Sequence, residues 1–479
     1  MSHPESLRRA VDAALSQGAQ HVEARYGRET REVLTLVDGE VSASRRDETA
    51  GVGVRVLVDG GWGFCAAADD DPTVLAERAI ALARASSRVG SREVVLANVA
   101  AVKAEHKLVG ERDPTNVSLQ ERLDLLRGVD AALSVSGIVR REVNMEIRRE
   151  EMLLVTSDGS EIQQELALVG GGFACKAQSN GRSATRTYPH HGGWSYATGG
   201  FEWFDEIDLE GAAPRIAAEA LLLLDAKPFS SAVTTVILDP MMIGTLLHET
   251  VGHATELDRS LGEERESFGA TFVTSERVGT YPYASPTVTV TADATYPGAA
   301  GSYRYDAEGA PATCVPLIEH GVLVGLSTSR ECAAELGQAT TGAARASSWN
   351  RIPMARITNL VLQPGEHTLE SLIADVDDGV YIATDATTDI DDNRELCAFG
   401  GEIGWRIRHG RLSEPLSRPI IYGDTHSFLR NCDGVGSLEE TQVSGIAGCG
   451  KGQPWQFVTT GQGGPPARFR NVQLGWEGG

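Results

Sequence analysis

The chain has 479 residues, a hydrophobic fraction of 41% and a formal net charge of −23. That length exceeds one ordinary core, so two or three domains are expected. The acidic balance argues against nucleic acid or an anionic membrane as partner, and no apolar run reaches the roughly 18 residues of a membrane span.

The seven cysteines are scattered, odd in number and free of C-x-x-C pairs. That pattern fits reduced thiols in the cytosol. The opening MSHPESLRRAVDAAL reads as an amphipathic helix, because it lacks the apolar core of a signal peptide. A cytoplasmic protein is expected.

Pro4–Ser16 carries apolar residues at helical spacing. Short alternating strands follow at Val22–Tyr26, Glu32–Val37, Val41–Arg45 and Val52–Val58, with Asp38-Gly39 and Asp59-Gly60 as hairpin turns. A second helix runs from Asp70 through Leu82. The same order then returns. Leu119–Val135 is a helix, Val143–Arg148, Met152–Thr156 and Ile162–Phe173 are strands, and Pro214–Leu224 is the closing helix. This predicts an α+β fold whose N-terminal half is a duplicated helix/antiparallel-sheet/helix module, at 1–110 and 111–228. The second copy is interrupted by the polar stretch Ala177–His191, expected to be a mobile loop. Its His190 and His191 could be metal ligands, but solvated loop residues are the expectation. Residues 229–479 are richer in glycine and strands and read as a mainly antiparallel β domain around one helix. Cys314 and Cys332 read as core positions.

That helix lies in Leu238–Ser260, LDPMMIGTLLHETVGHATELDRS. Asp239 can cap it and Pro240 suits its first turn. It carries His248, Glu249 and His253, spaced H-E-x-x-x-H. Imidazoles are common zinc ligands, and a neighbouring Glu is the usual general base. In the familiar H-E-x-x-H helix the two His are about 40° apart around the axis, whereas a spacing of five opens them to roughly 140°. A single π-turn near Val251–Gly252 would return both rings to one face. Two His and a Glu also occur by chance on amphipathic helices, so a third ligand is needed. Cys449, flanked by Gly448 and Gly450, is the best candidate, with Lys451 close enough in sequence to lower its pKa. By itself that setting also fits a buried free thiol.

The HETVGH segment, the YDAEG turn with LIEHGVLVG behind it, the TTGAAR loop and the C-terminal CGKGQ followed by GQGGPP resemble, in order along the whole chain, the TldD/TldE (PmbA) metallopeptidase family. The intact motif places the chain with the catalytic TldD type. The resemblance implies that His248, His253 and Cys449 hold Zn2+ and that Glu249 activates the water. It also implies unfolded or short peptides as substrates, and a dimer formed with a TldE-like subunit or with a second copy. The chain departs from the family pattern at Ala343 and in CGKGQPWQF after Cys449. For the oxyanion, backbone N–H groups of the Gly-rich loops and a tyrosine such as Tyr303 or Tyr305 are the candidates. Two other readings stand beside this one. In the first, a biosynthetic metallohydrolase trims a peptidyl or amide intermediate in a pocket narrowed by Trp455 and Phe457. In the second, a zinc-stabilised scaffold has a closed four-ligand site and no use for Glu249.

Overall fold

The structure is a computed structural model and describes residues 3–90, 93–264 and 269–476. The first module comprises α1 (His3–Ser16), β1 (His21–Val37), β2 (Glu40–Val58), β3 (Gly61–Ala67) and α2 (Pro72–Ser87). β4 (Lys103–Leu108) leads to the second, which comprises α3 (Leu119–Leu133), β5 (Ile138–Thr156), β6 (Glu161–Ser179), β7 (Arg182–Tyr188), β8 (Ser195–Thr198), the short α4 (Trp203–Glu206) and α5 (Leu209–Leu223).

The expected short strands are halves of long ones. Between Tyr26 and Glu32 no residue breaks the ladder, and Gly27 simply pairs with Gly51. Turns form where the chain supplies them. Asp38-Gly39 (φ 50° and 83°) and Asp59-Gly60 (φ 49° and 71°) adopt the left-handed pair of a type I′ hairpin. Asn180-Gly181 (φ 48° and 78°) does the same, so the polar stretch expected as a mobile loop is instead the hairpin β6–β7. The two modules are joined by one sheet, ordered β3-β2-β1-β5-β6-β4, with β7 and β8 also on β6. Its middle is the antiparallel pair β1–β5, from Glu23↔Thr156 to Val37↔Glu142. α1 and α2 cover one apolar patch of the sheet, and α3 and α5 cover another.

The C-terminal part begins with β9 (Ala232–Leu238), α6 (Pro240–Leu247), α7 (Leu257–Ser260), β10 (Val290–Asp293), β11 (Cys314–Glu319), β12 (Val322–Leu323), α8 (Arg330–Glu335), β13 (Ala344–Arg345), β14 (Met354–Ala355), β15 (Asn359–Leu362) and α9 (Leu369–Ala374). It continues with β16 (Asp378–Ile390), β17 (Leu396–Arg408), β18 (Arg411–Ser417), β19 (Pro419–Asp424), α10 (Thr425–Arg430), β20 (Cys432–Val435), β21 (Gln442–Lys451), β22 (Gln456–Gly464) and β23 (Ala467–Trp476). The strands β16-β9-β23-β19-β17 close on themselves, because β16 also pairs with β17. A second sheet runs β12-β11-β10-β15-β22-β21. α6 lies between the two, against β16 on one side and β22, β21 and β15 on the other. All eight of its residues are buried, which is why its sequence is apolar all round.

Buried and part-buried ion pairs dock the N-terminal sheet on this domain. Arg55 Nη1 lies 3.0 Å from Glu308 Oε1, Arg330 Nη1 lies 2.8 Å from Asp158 Oδ2, and Arg186 pairs with Glu402. Cys332 is buried as expected, but Cys314 is exposed, because its position on β11 points away from the core.

Candidate metal centre

α6 starts where its sequence says it should. Asp239 Oδ1 accepts the N–H of Met242 at 2.8 Å, and Oδ2 accepts that of Thr384 at 2.9 Å, which ties the helix to β16. Burial raises the Asp239 carboxyl to about 6, against the opposing pull of those two N–H groups.

The expected distortion is present. After Leu247 the chain makes one π-turn, His248–Gly252, and then a 3₁₀ turn, His253–Thr255. The N–H of His253 donates to the carbonyl of His248, an i→i+5 bond that turns both imidazoles to one side. Their ring centroids are 4.8 Å apart with planes at 85°. Local hydroxyls serve the disturbed backbone. Thr250 Oγ1 donates to Leu246 O at 2.7 Å, Thr255 Oγ1 to Val251 O at 2.9 Å, and Tyr283 Oη to Thr250 O. Gly252 sits in a tight apolar setting. Its own angles are helical (φ −57°, ψ −64°), but a Cβ there would sit 2.8 Å from Ile357 Cδ1 and 3.0 Å from Leu360 Cδ2.

Cys449 comes from β21, beside a register shift between Ile446 and Cys449. The shift aims its side chain inward, and Sγ lies 3.5 Å from His253 Nε2. His248, His253 and Cys449 are all buried, with one donor atom from each within 4.8 Å of the others. Among the described residues this is the one such group. Two imidazoles and a thiol form a borderline-soft donor set that suits zinc. His248 Nδ1 is buried with no hydrogen-bond partner among the described residues, an orphan that fits an incomplete coordination site.

The surrounding shell holds these donors in place. His253 Nδ1 lies 3.0 Å from Glu256 Oε2, which leaves Nε2 available to a metal. Glu256 is fully buried and also receives Arg259 Nε at 2.6 Å and the N–H of Ile357 at 3.1 Å. Its carboxyl is held well below the usual range: burial opposes this, but Lys451, His253 and Arg259 outweigh it. The thiol of Cys449 is likewise held well below its usual range, because His253, Arg356 and His248 overcome burial. Arg356 is the cation that touches it, with Nη2 at 3.2 Å from Sγ. Lys451, expected to act on the thiol, instead spends its ammonium on Asp258 at 2.7 Å, Glu256 at 3.2 Å and the carbonyl of Ala355 at 2.7 Å. Strand alternation explains the exchange: with Cys449 facing the imidazoles, Lys451 two residues on shares that side but reaches past them.

Glu249 keeps part of its side chain accessible at 22%. It opens into a cavity of about 360 Å³ whose wall includes His248, His253, Cys449, Trp455 and Arg394. Arg394 Nη1 lies 2.6 Å from Glu249 Oε2. Burial would raise the Glu249 carboxyl, but His253, His248 and Arg394 lower it.

Other expected residues lie elsewhere. Tyr303 donates its hydroxyl to Gly342 O at 2.7 Å, Tyr305 is held through its backbone by Gln164, and neither lines this cavity. Phe457 stacks on Trp455 at 5.9 Å but faces a different pocket. Ala343 is buried behind the centre, where its carbonyl accepts the N–H of Arg356 at 3.0 Å. His190 is buried, not solvated, with Nε2 3.3 Å from Asp385 Oδ1. It joins no metal-binding group among the described residues. Sequence reasoning missed Glu256, Arg356 and Arg394. Glu256 stands three residues after His253, a spacing that faces it on any helical turn. The two arginines arrive from non-strand positions distant in the chain, just after β14 and at the β16–β17 tip, and carry no local signal.

Three family models match the chain in order. They are PmbA/TldA metallopeptidase domain 1 at residues 22–83, the central domain at 112–224 and the C-terminal domain at 231–475. The chain belongs to the PmbA/TldD metallopeptidase family. A Methanothermobacter thermautotrophicus metalloprotease is 32% identical over 458 residues, covering 95% of each chain. A zinc metalloprotease TldD homolog of Saccharolobus solfataricus is 27% identical over 273 residues, 57% of this chain and 58% of the relative. The crystal structure of TldE from Thermococcus kodakarensis superposes with a TM-score of 0.75 at 17% identity, covering 98% of this chain and 99% of TldE. That likeness establishes the shared fold. In this PmbA/TldD chain the two His, Glu249 and Cys449 all fall within the part matched by the C-terminal model. Among the described residues no helix is long and apolar enough to cross a membrane.

Proposed function

We propose that the protein is a zinc metallopeptidase that cleaves unfolded or short peptides, with His248, His253 and Cys449 as metal ligands and Glu249 as general base. The observation that carries this reading is the π-turn. It has no evident purpose other than to bring two imidazoles five residues apart onto one thiol. Zinc bound there would polarise a peptide carbonyl and make a water nucleophilic near neutral pH.

The chain's own groups divide the remaining work. Glu249, accessible at the cavity wall, takes a proton from the attacking water and delivers it to the departing amine. Glu256 fixes the tautomer of His253. β21 is the end strand of its sheet, so an extended peptide could pair with it beside Cys449. That mode admits unfolded chains and excludes folded ones. The intact Glu249 argues against a purely structural zinc. The shared fold with TldE supports pairing with a TldE-like subunit, with a homodimer as the other arrangement. The seven unpaired cysteines support a cytoplasmic location.

The second reading, a biosynthetic metallohydrolase acting on a peptidyl or amide intermediate, is supported by Trp455, which lines the cavity. One experiment separates these readings. The purified chain is analysed for metal and assayed on an unfolded protein and on small amides, with and without chelator. One zinc per chain and chelator-sensitive cleavage of the unfolded protein are expected, with activity lost and zinc retained in Glu249→Gln. Cleavage of small amides alone favours the second reading, and an apo chain refutes both.

A further inference from the structure

Attack on a peptide carbonyl builds negative charge on its oxygen, and a preorganised donor is expected to face that charge. With Tyr303 and Tyr305 engaged elsewhere, the donor must be sought on the cavity wall. There, among the described residues, the lining contains one cationic side chain apart from the histidines, Arg394, together with Asp389, Asp391 and Asp392.

Its position is rigid. Arg394 lies at the tip of the β16–β17 hairpin in the left-handed region, φ 67°, a conformation that an arginine adopts only when its surroundings enforce it. Its N–H donates to Asp391 O at 3.0 Å, and its carbonyl accepts Thr425 Oγ1 at 2.8 Å. The side chain is buried and spans 145 residues of sequence to reach Glu249 Oε2 at 2.6 Å.

We infer that Arg394 is the oxyanion donor of this site, a reading that rests on the peptidase function above. Before reaction its guanidinium neutralises the Glu249 carboxylate. The water oxygen then bonds to the carbonyl carbon, the carbonyl π pair moves to oxygen, and Glu249 takes the water proton. Glu249 is now neutral, and the negative charge that Arg394 faced has moved to the substrate oxygen in the same cavity. The fork geometry of arginine lets one N–H stay near Glu249 while another turns to the oxyanion. Collapse of the tetrahedral adduct breaks the C–N bond, returns the proton to the amine and restores the resting ion pair.

The test uses the full chain with Arg394→Gln and Arg394→Lys. Three quantities are read: zinc content, kcat and KM on an unfolded peptide, and calorimetric affinity for a phosphinic peptide against that for the matching product peptide. The phosphinic group is a tetrahedral anion that mimics the attacked carbonyl. Arg394→Gln should lower kcat by about 10²–10³ with KM little changed. It should weaken the phosphinic peptide by a similar factor and the product peptide hardly at all, with zinc retained and Arg394→Lys in between. Unchanged or raised kcat, equal weakening of both ligands, or zinc loss in both variants would overturn the assignment. A wild-type chain that holds zinc but cleaves no peptide would count against the peptidase reading itself, whereas the phosphinic-to-product affinity ratio reads Arg394 without turnover.

Discussion

His253 Nδ1 and Glu256 Oε2 lie 3.0 Å apart, both buried, from residues three apart in the chain. A carboxylate so placed fixes which imidazole nitrogen is free for a metal. Glu256→Gln should therefore weaken zinc binding by about 10–100-fold, measured by competition with a chromophoric chelator. It should also destabilise the fold, because Arg259 and Lys451 lose a buried counter-charge. Unchanged zinc affinity would show that His253 needs no orientation.

Arg356 makes the second such prediction. Its guanidinium is fully buried against Cys449 Sγ and the carbonyl of Gln456. Arg356→Lys keeps the charge but loses the fork. It should shift the thiolate-to-metal charge-transfer band of the cobalt-substituted protein and loosen metal binding. Lys451→Met should leave that band in place, since Lys451 does not touch the thiol. Cys449→Ser should abolish the band and weaken zinc binding markedly.

Gly252 can be tested by a single methyl group. Gly252→Ala would put its Cβ within 2.8 Å of Ile357. Overpacking of this kind costs about 1–3 kcal/mol. The crowded atoms are the ends of the Ile357 and Leu360 side chains, so zinc affinity should fall along with the melting temperature if the π-turn rather than those side chains gives way. A variant that melts lower yet binds zinc normally would mean that the turn is held by other contacts.

His21 gives a pH dependence away from the candidate metal centre. Burial alone would lower its pKa, but hydrogen bonds to Asp158 and Glu23 outweigh this and raise it from 6.5 to about 9. The charged form is thus favoured in the fold. The stabilisation is complete below pH 6.5 and disappears as pH rises towards 9. Counted once for the shared interaction, it amounts to at most about 3 kcal/mol. Between pH 6 and pH 9.5 the wild type should lose more thermal stability than His21→Gln. Parallel curves would show that His21 does not carry this dependence.

The sequence alone determined many local elements and singled out His248, Glu249, His253 and Cys449, which the fold brings to one cavity. Asp-Gly and Asn-Gly dictate tight turns because few other residues tolerate positive φ, and Asp239-Pro240 dictates the start of α6. The five-residue spacing of His248 and His253 required a π-turn, because a regular helix would point the rings apart. Local rules failed where pairing partners are distant in the chain. Short strands merged into the 17- and 19-residue strands β1 and β2 because each had a neighbour to continue the ladder. The polar stretch after Ala177 became the hairpin β6–β7. Only the tertiary structure decided which cations serve the centre. Arg356 reaches Cys449 and Arg394 reaches Glu249, whereas Lys451, Tyr303 and Tyr305 are engaged elsewhere, because the fold brings β21 and the β16–β17 tip to the His248–His253 turn. That choice depends on distances between segments about 100 to 145 residues apart, and no periodicity or spacing in the chain encodes it.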